Sequence, residues 1–146
     1  MLLGDSGGNQ TGMRNVAEAL NAKWANETAR VHHLPEYYNE DRWSYDFLKT
    51  LGITQIDKTP GRTADARVDT RNGMHDDIYY EAQIAVVDPK HIRAEERRKA
   101  GLLNLHGVDM TDVAKVVEIG KKLAEYRAGI TARALEASKL KLRPVK

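Results

Sequence analysis

The residue pattern from Thr111 to the C-terminus constrains the fold more than any other stretch of this chain. Val113, Val116, Val117, Leu123, Ala124, Ile130 and Ala134 recur at helical spacings, so they share one face of an α-helix. Thr111 is placed to cap that helix, and Gly120 would let a second element approach closely. Lys139, Lys141 and Arg143 end it in a basic tail over residues 139–146. With 146 residues in all, the chain is expected to form a single domain that buries its own core.

At the other end, Leu2 and Leu3 read as the last residues of a buried strand and Gly4 to Asn9 as a glycine turn. Met13, Val16, Ala17, Leu20 and Trp24 then form the apolar face of a helix capped by Thr11. The segment TARVHHLP, residues 28–35, is extended and closed by Pro35, and EDRWSYDFLKTLG, residues 40–52, is a helix ended by Gly52. Residues 53–74 are polar, contain Pro60, Gly61 and Gly73, and show no sustained period, which predicts a long loop. HDDIYYEAQIAVVDP, residues 75–89, opens on acids suited to a helix N-terminus, runs apolar and stops at Asp88-Pro89, so a buried helix is favoured over a strand. The alternation of extended and helical segments predicts an α/β layer architecture.

Composition removes several functions. Lys and Arg number 23 against 21 Asp and Glu and are dispersed along the chain, so no basic patch marks a nucleic-acid partner. The absence of cysteine excludes disulfides, thiolate catalysis and zinc–thiolate sites. No apolar run reaches the length of a membrane span or a signal-peptide core, and a cytoplasmic location is expected.

Two groups of residues carry chemistry. The first is Gly4-Asp5-Ser6-Gly7-Gly8. A serine protease of the chymotrypsin type needs its histidine and aspartate before the serine, and only five residues precede Ser6. The string also fits the G-x-S-x-G elbow of an α/β-hydrolase, with Asp88 and His106 as the acid and base that would serve Ser6. A third reading needs no nucleophile, because a glycine turn lets backbone amides approach an anion, a carbonyl oxygen or a metal-held water. The plainest is a tight turn with no ligand.

The second group is NGMHDDIYYEA, residues 72–82, which gathers His75, Asp76, Asp77, Tyr79, Tyr80 and Glu81. His75 is the leading acid/base candidate, since imidazole titrates near neutral pH and neighbouring carboxylates orient it. The plain alternative makes Asp76 and Asp77 helix-start acids and His75 a surface residue. His32 and His33 are adjacent, so on a strand they face opposite ways and do not share one metal. His91 and His106 read as surface or loop residues.

Taken in order, GDSGGNQ, VHHLPEYY and HDDIYYEAQIAVVDPKHI resemble the second half of the creatininase family, which includes creatinine amidohydrolases and formamide hydrolases. The resemblance covers residues 2 to 138. Gly4 to Asn9 match the family's N-G-H-G-G-N loop, and His75 to Pro89 match its H-x-G-x-x-E-T-S segment, which opens a helix that ends near a proline. The resemblance implies a three-layer α/β fold with helices on both faces of a sheet, lacking the family's N-terminal part. It implies water attack on a C–N amide bond, cyclic amides included, assisted by zinc or manganese.

By the same resemblance His75 carries the proton between water and leaving nitrogen, while Gly7, Gly8, Asn9 and Tyr38 lie against the substrate. Asp5, Asp76 and Asp77 are the candidate metal ligands. Ser6 stands where the family has a metal-binding histidine, and Tyr80 where it has a glutamate. Glu81 is one position further on, about 100° round a helix. The family's first-half ligands have no counterpart before Met1, so the chain is expected to be a short form or a fragment, or to take ligands from another subunit. An exposed sheet edge would then favour a homo-oligomer. The expected partner is a small-molecule amide, with no nucleic acid and no membrane. Two alternatives stand beside this one: a serine esterase of the α/β-hydrolase type using Ser6, and a non-catalytic oligomerising domain that keeps the fold.

Overall fold

A computed structural model describes residues 1–39, 43–54, 78–105 and 107–142. In chain order these form α1 (Gly7–Lys23), α2 (Glu36–Asn39), α3 (Trp43–Thr50), α4 (Ile78–Val87), a 3-10 turn (Pro89–Ile92), α5 (Ala94–Ala100), β1 (Asn104–Leu105), β2 (Val108–Asp109) and α6 (Val113–Lys141). They fall into two compact units, Met1–Glu40 with Tyr126–Lys146, and Asp41–Glu125.

The expected three-layer α/β sheet is not formed. The described residues are mostly helical, and their one sheet is the antiparallel pair β1–β2. Leu2 and His33 make a single parallel bridge, in which Leu2 N–H donates to the His32 carbonyl at 2.7 Å and Leu34 N–H to the Leu2 carbonyl at 3.2 Å. Side chains stop the ladder from growing. The Asn21 amide takes both backbone groups of Val31, at 2.8 Å each, so this residue has nothing left for a second strand. Arg30 does the same for the preceding turn, donating to the carbonyls of Trp24, Ala25, Glu27 and Ala29.

In the first unit α1 starts one turn before the expected Thr11, with Ser6 as the extended N-cap residue. The first turn of a helix lacks intrahelical N–H acceptors whatever its sequence, so Gly7 and Gly8 are tolerated there better than mid-helix. Ala17, Leu34 and Ala134 are buried, while Val16 of the expected apolar face is half exposed.

The second unit holds the larger core. Leu48 of α3, Ile78, Tyr79, Ala82 and Ala85 of α4, Ile92, Leu103, Met110, and Val116, Ile119 and Leu123 of α6 are all buried. Residues 75–89 were expected to form a helix ending at Asp88-Pro89, and α4 does so; the Asp88 carboxylate caps the 3-10 turn by accepting from Lys90 N–H at 3.0 Å. Gly52, at φ +75°, closes α3 as expected: its N–H donates to the Lys49 carbonyl and that of Ile53 to the Leu48 carbonyl, both at 2.9 Å. Gly101 closes α5 the same way through Arg98 and Arg97. In α6 the cap is Asp112 and not Thr111, since the Asp112 carboxylate accepts from Lys115 N–H at 3.1 Å. Residues 55–77 lie outside the described residues, and with them most of the expected 53–74 loop.

Gly120 carries the closest packing in this unit. A Cβ added there would lie 2.0 Å from the Ala82 carbonyl oxygen, a backbone atom of α4 that no rotamer change can move. At Gly129, further along α6, the nearest obstacle to a Cβ is the flexible Arg133 guanidinium at 3.3 Å. The two glycines therefore respond oppositely to alanine. Gly120→Ala is expected to destabilise the second unit by about 1–3 kcal/mol or more through overpacking. Gly129→Ala gains about 0.5–1 kcal/mol from helix propensity. Urea unfolding of the two variants checks both signs.

Candidate functional site

The glycine loop is held from two sides by residues the sequence reading passed over. Gln10, one turn into α1, reaches back so that its Nε2 donates to the carbonyls of Gly4 at 3.0 Å and Ser6 at 3.2 Å. Those two donations fix the amide, leaving Oε1 to accept from His33 Nε2 at 3.1 Å. The His33 ring thus carries a proton on Nε2. His32 turns the other way, its Nδ1 lying 2.8 Å from Ser138 Oγ on α6. The expectation that the two histidines diverge holds, although on a single bridge and not a strand.

Arg127 of α6 makes the second attachment. Its Nη2 donates to Asp5 Oδ1 at 2.5 Å and to the Tyr37 carbonyl at 3.3 Å, and its guanidinium lies 3.8 Å from the Tyr37 ring centre. The Arg127 side chain is 11% exposed against 54% for Asp5, so the arginine is the fixed partner and the aspartate comes to it. The sequence did hold a signal: Arg127 interrupts the apolar face between Leu123 and Ile130 at the same helical spacing. A charged residue in such a stripe needs a partner.

The expected site residues fare differently. Ser6 is exposed, its side chain does not cap α1, and its Oγ has no hydrogen-bond partner among the described residues. Gly7 packs under Tyr38, whose Oη would lie 3.0 Å from a Cβ added there, and the space over Gly8 is open to Ser6 Oγ at 3.8 Å. Asn9 N–H donates to the Ser6 carbonyl at 3.1 Å. The structure therefore brings together Asp5, Ser6, Gly7, Gly8, Asn9 and Tyr38. His75, Asp76, Asp77 and His106 lie outside the described residues. Asp88, the acid of the esterase reading, is used as a cap, and Glu81 is ion-paired with Arg97 of α5.

The described residues do not fit a divalent ion. No group of three or more His, Asp or Glu among them is disposed to hold one, and Asp5 already pairs with Arg127. Likewise, among the described residues no helix is long and apolar enough to cross a membrane.

Two measurements follow from these contacts. Arg127→Gln removes the ion pair, the Tyr37 carbonyl bond and the ring contact, and is expected to cost about 1–3 kcal/mol in urea unfolding. Asp5→Asn, at the exposed end, is expected to cost no more than about 1 kcal/mol. His32 gives a pH signature. Burial lowers its pKa from 6.5, and repulsion by the N-terminal ammonium and Lys139 adds to this. The unfolded chain therefore takes up the proton first, and stability falls as pH drops below 6.5. Between about pH 7.5 and about pH 5 the unfolding midpoint of the parent chain should fall more steeply than that of His32→Gln.

Compared with family models, curated proteins and solved structures, the chain has no match in any of the three.

Proposed function

We propose that this chain hydrolyses a C–N amide bond, cyclic amides included, with the Gly4–Asn9 loop as the candidate element for holding a carbonyl oxygen and His75 as the candidate acid/base. The observation that carries the reading is the convergence of hydrogen-bond donors at the start of α1. The Gly7 and Gly8 amides have no acceptor among the described residues, and the Tyr38 hydroxyl lies over Gly7. Donors fixed before reaction stabilise the negative charge that builds on a carbonyl oxygen as water adds. The role of His75 rests on the similarity of HDDIYYEAQIAVVDP to the helix-opening segment of the creatininase family.

Zinc or manganese, when bound in such hydrolases, acidifies the water and polarises the carbonyl. With Asp5 engaged by Arg127, Asp76 and Asp77 are the candidates left to hold an ion. In this reading the substrate is a small-molecule amide and the protein works as a homo-oligomer in the cytoplasm, a setting that suits a chain without cysteine. The Asp5–Arg127 pair also favours a second reading, a non-catalytic oligomerising domain, because it takes one candidate ligand out of use.

The test is turnover of a panel of lactams and open-chain amides by the purified chain with zinc or manganese supplied. His75→Ala is expected to lower kcat by about 10²–10⁴-fold, while Ser6→Ala leaves it within a few-fold. Loss of turnover in Ser6→Ala, with fluorophosphonate labelling of Ser6 in the parent, would establish the serine esterase instead. No turnover and no stoichiometric metal in the parent would leave the oligomerising domain.

A further inference from the structure

The first unit contains a groove of about 330 Å³ between α1, the segment from Val31 to Glu36 and the last turns of α6. Its size falls in the range of small-molecule sites. Buried Ala17, Leu34 and Ala134 give it an apolar floor. Its edge carries four exposed charges, Arg14 and Lys141 against Glu18 and Glu36.

None of the four has an ion-pair or hydrogen-bond partner among the described residues. Arg14 and Glu18 stand four apart on α1 without pairing, whereas Glu118 and Lys122 at the same spacing on α6 lie 2.8 Å apart. The order of the residues accounts for the difference: acid before base suits the helix geometry and dipole, and base before acid does not. The groove therefore offers two unneutralised charges of each sign around an apolar floor.

We propose that this groove binds a small zwitterion with an apolar body, an ω-amino carboxylic acid, its carboxylate met by Arg14 or Lys141 and its ammonium by Glu18 or Glu36. A ligand with one charge would satisfy half of the edge and leave the other half facing its hydrocarbon; a zwitterion answers both. The methylene chain lies over this floor, where Val31, Pro35 and Ala137 carry the accessible hydrocarbon from which it displaces water. This site is separate from the hydrolytic reading and does not depend on it.

The test uses the full chain with three probes of equal length, ε-aminocaproate, caproate and hexylamine, in NMR titrations read at the amides of Ala17, Leu34 and Ala134. The zwitterion is expected to bind at least about fivefold more tightly than either singly charged probe, the size of one well-placed ion pair. Replacing both cations, in Arg14→Gln with Lys141→Gln, should abolish that advantage over hexylamine and leave hexylamine binding unchanged. Replacing both acids, in Glu18→Gln with Glu36→Gln, should abolish the advantage over caproate. All four side chains are exposed, so the variants should keep the parent circular dichroism. Equal affinity for the three probes, an unchanged ranking in the variants, or no shift at the three amides would overturn the proposal.

Discussion

The contact on which the second unit depends is a backbone one, the approach of Gly120 on α6 to the Ala82 carbonyl on α4. A helix as long as α6 has most of its stability from what its apolar face touches, because propensity alone leaves isolated helices marginal in water. Here that face is short of large side chains at its centre. Val116, Ile119 and Leu123 are its buried hydrocarbon, and Gly120 supplies the close approach to Ala82 and Val86 of α4. Dispersion falls steeply with distance, so a gap of less than an ångström at this crossing would weaken every one of those contacts. The small residues of α4 complete the arrangement: Ala82 and Ala85 are wholly buried, and Ala82 is the one against Gly120.

In the first unit polar side chains do work that hydrocarbon does elsewhere. Asn21 closes the backbone of Val31, Arg30 gathers four carbonyls, Gln10 ties the glycine loop to His33, and Arg127 joins Asp5 to Tyr37. Each bond is directional, so the loop is held in one shape with few buried apolar residues. The same bonds consume the groups that a sheet would need, which is why a segment that reads as β-α-β ends as a single bridge at Leu2 and His33.

What was legible in the sequence follows from the range of the forces involved. Most of the α6 face, the Gly52 stop and the Asp88-Pro89 stop are written by residues within a turn or two of each other, although Ala124 of the expected stripe is exposed and Ile119 outside it is buried. Ends were misplaced where two residues competed for one role, Ser6 against Thr11 and Asp112 against Thr111. The run AEERRKAG, acids first, bases last and glycine after, is a full helix signature, and it forms α5. The extended pattern of residues 28–35 matches a strand, but side chains of Asn21 and Arg30 hold backbone groups there that a sheet would use. At the site, the loop was visible but its supports were not, since Gln10 meets His33 from 23 residues away and Arg127 meets Asp5 from 122.

The electrostatics of the loop set what it can hold. The start of α1 presents unsatisfied N–H groups and the positive end of the helix dipole, and Arg127 adds a full positive charge close by. Asp5, the one carboxylate in the loop, is held against that charge, so a cation placed there would compete with a guanidinium already stacked on Tyr37. A carbonyl oxygen gaining negative charge meets the opposite situation, with each of these groups favouring it. The fixed charges of the loop thus favour a partially negative oxygen over a cation at Asp5.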